Sequence, residues 1–177
     1  MSTLDQLVGA ARGAVERRRA EMPLSELEGQ LSGRGPDRPF NEALAGLGAE
    51  HALVVSAEDG VDELSVTSRT RVIEVRAGTT EEWFTDPEDH GLARAHLDAV
   101  AGGDPEANAA VTERVLAGEA GPAADLVALN AGAAIFVGGG AEDLGGGIER
   151  AREAIGSGSA RDVLARLVAL TGEIAAD

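Results

Sequence analysis

Four carboxylates lie within six residues near the middle of the chain, at Glu58, Asp59, Asp62 and Glu63. Gly60 divides them, and glycine readily adopts the positive φ angles that sharp turns require. Paired carboxylates supply the hard oxygen ligands that Mg²⁺ prefers in proteins. Asp62 and Glu63 are therefore candidate magnesium ligands, and a solvated acidic turn is the competing interpretation.

The residues around this acidic stretch predict the elements that would position it. The short apolar run Ala52–Val55 predicts a buried strand that ends just before the carboxylates. Residues 64–67 and 71–76 are rich in β-branched side chains and predict two further strands, and Trp83-Phe84 is expected to anchor a loop or an edge strand. The sequence thus places the carboxylates at the end of a strand in a small sheet.

The C-terminal half is predicted to be helical. Helices are expected from Pro105 after an Asp104 N-cap, over 122–137, from about Asp143 to Ile155, and from Ser159 onward. The glycine clusters 138–140 and 145–147 match neither known phosphate-loop pattern, so they are expected to separate helices.

Asn130 is a polar residue within the apolar helix predicted over 122–137. A buried side-chain amide requires hydrogen-bond partners. Asn130 is expected either to hydrogen-bond to a neighbouring loop or to reach a ligand.

Composition excludes several classes of function. The chain has 177 residues, no cysteine and no lysine, which removes thiolate metal sites, disulfides and lysine chemistry. Its formal net charge of −16 disfavours nucleic acid as a partner. No apolar run is long enough to span a membrane, so a cytoplasmic protein is expected. An acidic surface adapted to high salt is the favoured explanation of the charge, and a GC-rich genome is the alternative.

The first 39 residues differ in character from the rest. Apolar residues at helical spacing predict a helix over 4–21 and a shorter one over 24–31, and 32–39 is a turn-rich linker. We predict a helical extension with its linker over 1–39 and one α/β domain over 40–177.

Several longer stretches of residues 44–170 resemble anthranilate phosphoribosyltransferase, in its C-terminal half. The stretches that carry this resemblance are Leu44–Val55, Asp59–Ser65, Asp86–Leu92, Asn108-Ala109, Leu116–Glu119, Leu129–Ala134 and Ala151–Ala160. The resemblance implies a partial α/β fold like that of nucleoside phosphorylases, with a small sheet packed by several C-terminal helices. It also implies Mg²⁺-dependent transfer of phosphoribose from phosphoribosyl pyrophosphate (PRPP) to anthranilate in tryptophan biosynthesis.

The same resemblance assigns the metal ligands and exposes what this sequence lacks. The family's DGxDE stretch holds magnesium through its Asp-Glu pair, which maps onto Asp62 and Glu63. The family's glycine-rich pyrophosphate loop, its KHGN segment and its anthranilate-binding arginine do not occur in this chain, and His90 replaces the usual Phe before Gly91. We therefore expect the chain to be incomplete or inactive alone.

Residues 1–46 resemble a different enzyme of the same pathway, the N-terminal extension of indole-3-glycerol-phosphate synthase. The matching stretches are Leu4–Val8, Glu16–Arg18, Met22–Leu27 and Pro39–Leu44. The catalytic barrel of that synthase is absent, so a synthase-like remnant is one alternative interpretation. The other alternative is a non-catalytic domain that pairs with itself or with a complementing chain.

Overall fold

The computed structural model describes residues 40–174 and, before them, Glu16, Arg17, Met22 and Glu26. The helices predicted over 4–21 and 24–31 fall, apart from Glu16, Arg17 and Glu26, outside the described part. The chain divides into the units Met1–Pro39 and Phe40–Asp177. The second unit holds nearly all of the described residues.

The second unit is an α/β structure in which a small sheet precedes most of the helices. Helix α1 (Phe40–Gly46) leads into strands β1 (His51–Ala57), β2 (Thr70–Arg76) and β3 (Thr79–Thr85). Short 3₁₀ turns follow at Pro87–His90 and Leu97–Ala99. The remaining helices are α2 (Pro105–Leu116), α3 (Pro122–Val137), α4 (Leu144–Gly156) and α5 (Ser159–Ile174). The predicted sheet packed by C-terminal helices is confirmed.

The sheet is antiparallel, with strand order β1-β2-β3. Ala57 lies opposite Thr70, and Thr70 lies opposite Thr85. The last residues of β1 and β3 and the first residue of β2 therefore lie at one end of the sheet. Trp83 lies in the edge strand β3, as expected, and its indole nitrogen donates to Glu74 Oε2 at 3.1 Å.

The strand predicted over 64–67 does not form, and this prediction was wrong. Leu64 and Val66 are almost completely buried, but they lie in a loop. The backbone groups of the loop find single partners in place of a strand ladder: Ser65 N–H donates to the side-chain hydroxyl of Thr70 at 3.1 Å, and the Val66 carbonyl accepts from Ala95 N–H at 2.9 Å. The apolar residues in 64–67 predict that this segment is buried. A buried segment can be a strand or a loop whose backbone groups are hydrogen-bonded, so burial alone does not distinguish the two.

The predicted helix starts are confirmed at α2 and α4. Asp104 accepts a hydrogen bond from Ala107 N–H at 2.8 Å, and Asp143 accepts one from Gly146 N–H at 2.7 Å. These side chains satisfy backbone donors that have no partner within the first helical turn.

The two glycine clusters have different roles. Gly138 ends α3 and Gly139 has a φ angle of 73°, as expected of glycines that terminate a helix. The expectation was wrong for 145–147, which lie inside α4. A Cβ atom on Gly147 would lie 2.9 Å from the Gly132 carbonyl carbon and closer still to its oxygen, so this glycine permits close contact between α3 and α4.

The core joins the sheet, the loop after β1 and the helices α3 and α4. Its fully buried members include Leu64, Val66, Val72, Leu129 and Ile148. Among the residues that the structure describes, no helix is both long and apolar enough to cross a membrane.

Candidate metal site

The acidic stretch forms the loop that leaves β1 at the end of the sheet where the three strands meet. Gly60 has a φ angle of 86°, which confirms the sharp turn predicted there. Its N–H donates to the Ala57 carbonyl at 3.1 Å, and Glu58 N–H donates to the Arg69 carbonyl at 3.0 Å. The loop thus begins as a tight turn tied to the start of β2.

Asp59 organises the first half of this loop. Its Oδ2 atom accepts a hydrogen bond from the Ser65 hydroxyl at 2.7 Å and another from the Thr67 hydroxyl, and its Oδ1 atom accepts from Val61 N–H at 3.1 Å. Ser65 Oγ in turn accepts from Thr67 N–H at 2.9 Å and from Ser68 N–H at 3.3 Å. The Asp59 carboxylate and the Ser65 hydroxyl therefore stabilise this loop, which has no strand pairing of its own.

This network favours the ionised form of Asp59. Burial by itself raises the pKa of the carboxyl group, but hydrogen bonds from Thr67, Ser65, Val61 and Ser68 outweigh burial. They lower the pKa of Asp59 from 3.8 to about 2. Asp59 is consequently a charged structural residue, with its lone pairs directed into the loop.

Asn130 of α3 holds the second half of the loop. Its Oδ1 atom accepts from Leu64 N–H at 3.0 Å, and its Nδ2 atom donates to the Leu64 carbonyl at 2.9 Å and to the Leu126 carbonyl at 3.1 Å. Of the two roles expected for Asn130, the structure shows the hydrogen bond to a neighbouring loop.

Asp62 and Glu63 lie between these two attachments, directly before the residue that Asn130 holds. The side chain of Asp62 is exposed and that of Glu63 is partly buried. Partial burial raises the pKa of the Glu63 carboxyl group, and the neighbouring charge of Asp62 raises it further. A cation bound to both carboxylates would remove this repulsion.

Asp62 and Glu63 supply too few ligands for a metal ion coordinated by protein alone, but they suit Mg²⁺. Among the described residues, no group of three or more His, Asp or Glu side chains is arranged to hold a metal ion. Mg²⁺ usually binds through one or two carboxylates, keeps several waters and takes further oxygens from substrate phosphates. Two adjacent carboxylates at a loop tip fit that mode.

Arg94 connects two loops at this end of the sheet, and no pattern in the sequence pointed to it. Its guanidinium group pairs with Asp86, which follows β3, and donates to the Thr67 carbonyl at 3.4 Å. Arg94 is separated from Thr67 by 27 positions, so only the folded chain brings them together.

Comparison with known families identifies the family to which this fold belongs. Residues 38–161 match the model described as "Glycosyl transferase family, a/b domain". The chain belongs to this family.

Curated proteins that match this chain include anthranilate phosphoribosyltransferases. The enzyme from Halorhodospira halophila is 47% identical over 138 residues, which cover 78% of this chain and 40% of that protein. The enzyme from Rubrobacter xylanophilus is 46% identical over 139 residues, which cover 78% of this chain and 41% of that protein. The chain therefore spans about 40% of the length of these curated relatives.

Solved structures give the same result. The anthranilate phosphoribosyltransferase of Thermus thermophilus superimposes with a TM-score of 0.67 at 46% identity, covering 74% of this chain and 38% of that one. The Saccharomyces cerevisiae enzyme, solved in complex with PRPP and Mg, superimposes with a TM-score of 0.57 at 27% identity, covering 62% of this chain and 32% of that one. The resemblance identified from residues 44–170 is confirmed, and the likeness of residues 1–46 to indole-3-glycerol-phosphate synthase has no support from these comparisons.

Proposed function

We propose that this chain supplies the magnesium-binding part of an anthranilate phosphoribosyltransferase, with Asp62 and Glu63 as the metal ligands and PRPP as the substrate that completes the metal's coordination. The observation that carries the proposal is the loop geometry: the Asp59 network and Asn130 fix the loop on either side of Asp62 and Glu63. The Mg-containing structure of the yeast relative supports the choice of metal and substrate.

The residues of this chain would act mainly by positioning. When bound, Mg²⁺ would neutralise negative charge on the pyrophosphate group of PRPP. Asp62 and Glu63 would orient that group, while Asp59 and Asn130 keep the loop from rearranging as charge is added. The chain lacks the glycine-rich pyrophosphate loop, so we expect binding without efficient transfer to anthranilate.

Calorimetric titration tests this proposal directly. We expect Mg²⁺ to bind the chain weakly alone and measurably tighter when PRPP is present, because two protein carboxylates complete only part of its coordination. Asp62→Asn combined with Glu63→Gln should abolish the effect. Glu81→Gln with Glu82→Gln, an adjacent acidic pair on β3, removes the same charge elsewhere and should leave binding unchanged.

Two outcomes would overturn the metal assignment. One is metal-dependent PRPP binding that survives the Asp62→Asn, Glu63→Gln double substitution. The other is the absence of any metal-dependent PRPP binding in the folded parent chain. A parallel fluorescence assay with anthranilate, PRPP and Mg²⁺ measures whether the chain turns over on its own.

A non-catalytic role in pairing with itself or a complementing chain is the second candidate function. Four large apolar side chains of α5, Val163, Leu167, Val168 and Leu170, are each more than half exposed. Exposed apolar groups of this kind are typical of surfaces that another polypeptide covers. Sedimentation velocity should detect a species larger than the monomer, and a monomer at all concentrations would exclude self-pairing.

We also propose that residues 1–39 form a separate helical extension like that of indole-3-glycerol-phosphate synthase, joined to the 40–177 domain through the 32–39 linker. Trypsin cleaves after arginine unless proline follows, so Arg34 is a cleavage site in this linker and Arg38, which precedes Pro39, is not. Limited proteolysis should first release a fragment that begins at Gly35. Earlier cleavage at Arg94 or Arg114 would contradict this boundary.

A further inference from the structure

Arg94 binds the segment that leads from the acidic loop into β2. Its Nη2 atom pairs with the Asp86 carboxylate, and its Nη1 atom donates to the Thr67 carbonyl at 3.4 Å. The next residue, Ala95, donates its N–H to the Val66 carbonyl at 2.9 Å. Two consecutive residues therefore bind two consecutive carbonyls, which holds the two segments side by side.

Asp86 keeps the guanidinium group in place. The Asp86 N–H donates to Asp89 Oδ2 at 2.9 Å, which ties its backbone to the 3₁₀ turn after β3. Its Oδ2 atom pairs with Arg94, while its Oδ1 atom is buried and has no hydrogen-bond partner among the described residues. The Asp86 side chain is only 24% exposed, so loss of Arg94 would leave a partly buried carboxylate without its cation.

The shape of the guanidinium group matters as much as its charge. Asp86 and the Thr67 carbonyl bind two different terminal nitrogens of Arg94. A lysine ammonium carries the same charge on a single atom and lacks this planar fork. Because Asp86 already neutralises the charge of Arg94, the guanidinium group serves here as a link of fixed geometry between two loops.

Thr67 transmits this constraint to the acidic loop. The Thr67 hydroxyl donates to Asp59 Oδ2. Asp59 Oδ1 accepts from Val61 N–H at 3.1 Å, and Val61 directly precedes Asp62. A continuous set of contacts therefore runs from the guanidinium group to the residue before the candidate metal ligands.

We propose that Arg94 is a positioning residue for the candidate metal site, and that it acts through the Thr67 carbonyl to hold the loop of Asp62 and Glu63 before the metal binds. This proposal rests on the proposed function, because it concerns the same site. The Arg94 side chain is 40% exposed, and a partly exposed ion pair contributes little to global stability. Its effect should therefore be seen in the loop and in binding, since preordered ligands have less freedom to lose when they bind.

Amide hydrogen exchange of the metal-free chain, followed by NMR, tests this connection without any ligand. Arg94→Gln should speed exchange of the Val61 amide about fivefold, because its acceptor Asp59 is held less firmly. Arg94→Lys should have nearly the same effect, since it keeps the charge and loses the fork. Arg150→Gln is the matched control, because Arg150 also donates to a backbone carbonyl, that of Gly140, elsewhere in the fold. This control should leave Val61 at the parent rate.

Calorimetric titration with Mg²⁺ and PRPP then measures the effect on the site. Both Arg94 variants should bind PRPP in the presence of Mg²⁺ about fivefold more weakly than the parent, with a melting temperature close to that of the parent. Arg150→Gln should bind like the parent at a temperature where every variant is folded.

Four results would overturn the positioning role of Arg94. These are a Val61 exchange rate that neither Arg94 variant changes, full rescue of that rate by lysine, an equal rise in exchange throughout α3, and unchanged binding in variants of a parent that binds. A parent chain that does not bind PRPP with Mg²⁺ would instead overturn the proposed function. The exchange rates would still decide whether Arg94 holds the loop.

Discussion

The side-chain amide of Asn130 forms two hydrogen bonds with the backbone of Leu64, one from Leu64 N–H at 3.0 Å and one to the Leu64 carbonyl at 2.9 Å. This pairing resembles one rung of a strand ladder, with a side chain in place of the second strand. It joins α3 to the residue that directly follows Asp62-Glu63. The candidate metal ligands therefore depend on a residue that is distant in sequence.

Replacing Asn130 with alanine should destabilise the fold by about 2 to 4 kcal/mol, because it leaves two backbone groups of the buried Leu64 without partners. Urea unfolding measures the change. Asn108 is a matched control, since its amide makes the same pair of bonds to Gly103 in an exposed loop. Asn108→Ala should cost less than about 1 kcal/mol, because water replaces the lost partners. Equal losses for the two variants would contradict the role assigned to Asn130.

Gly147→Ala should destabilise the contact between α3 and α4. The added Cβ would lie 2.9 Å from the Gly132 carbonyl carbon, and each atom is fixed to a helix backbone, so neither can move aside without shifting a helix. We expect a loss of about 1 to 3 kcal/mol in the free energy of unfolding. Gly145→Ala, on the same helix, meets only an ordinary contact at 3.5 Å and should be neutral or stabilising. Thermal unfolding of the two variants tests whether close helix packing requires glycine at 147 and tolerates alanine at 145.

Glu63→Gln should stabilise the free chain at neutral pH while weakening magnesium binding. Burial and the Asp62 charge raise the pKa of Glu63 above 4.5, so the ionised form costs stability in the fold. That cost is present at neutral pH and disappears as pH falls through the raised pKa. The melting temperature of the variant should therefore exceed that of the parent at pH 7, and the difference should vanish below about pH 4.5. A variant less stable than the parent at pH 7 would show that Glu63 has a structural role.

His90 should make the fold sensitive to mild acid. Burial lowers the pKa of His90 below 6.5, although the charges of Asp89 and Asp143 partly oppose it, and the ring nitrogen Nε2 lies 2.7 Å from the Thr85 hydroxyl. The stability that neutral His90 contributes is complete above pH 6.5 and is lost as pH falls through the lowered pKa. His90→Gln should flatten the stability profile just below pH 6.5.

Salt should stabilise this protein over a wide concentration range. With 31 acidic residues against 15 basic ones, repulsion between surface carboxylates opposes folding in dilute buffer, and salt screens that repulsion. The melting temperature should rise from dilute buffer to molar KCl. A maximum in dilute buffer would instead favour the compositional explanation of the charge.

The sequence alone predicted elements whose causes are local. Asp104 and Asp143 cap helices because their carboxylates reach the backbone only three residues ahead, and Gly60 turns the chain because it lacks a Cβ atom. The apolar run Ala52–Val55 predicted β1. The adjacent carboxylates of Asp62 and Glu63 made these residues the candidate metal ligands. These features depend on residues within one turn or one strand.

The tertiary structure decided the features that depend on contacts between distant residues. Leu64–Thr67 has the composition of a strand, but Asp59, Thr70 and Asn130 satisfy its polar groups and hold it as a buried loop. The contact between Gly147 and Gly132 has no local signal, because it exists only where two helix backbones meet. Side-chain chemistry therefore identifies Asp62 and Glu63 as candidate ligands. Their position in the fold depends on hydrogen bonds that Asp59 and the distant Asn130 make to the surrounding loop.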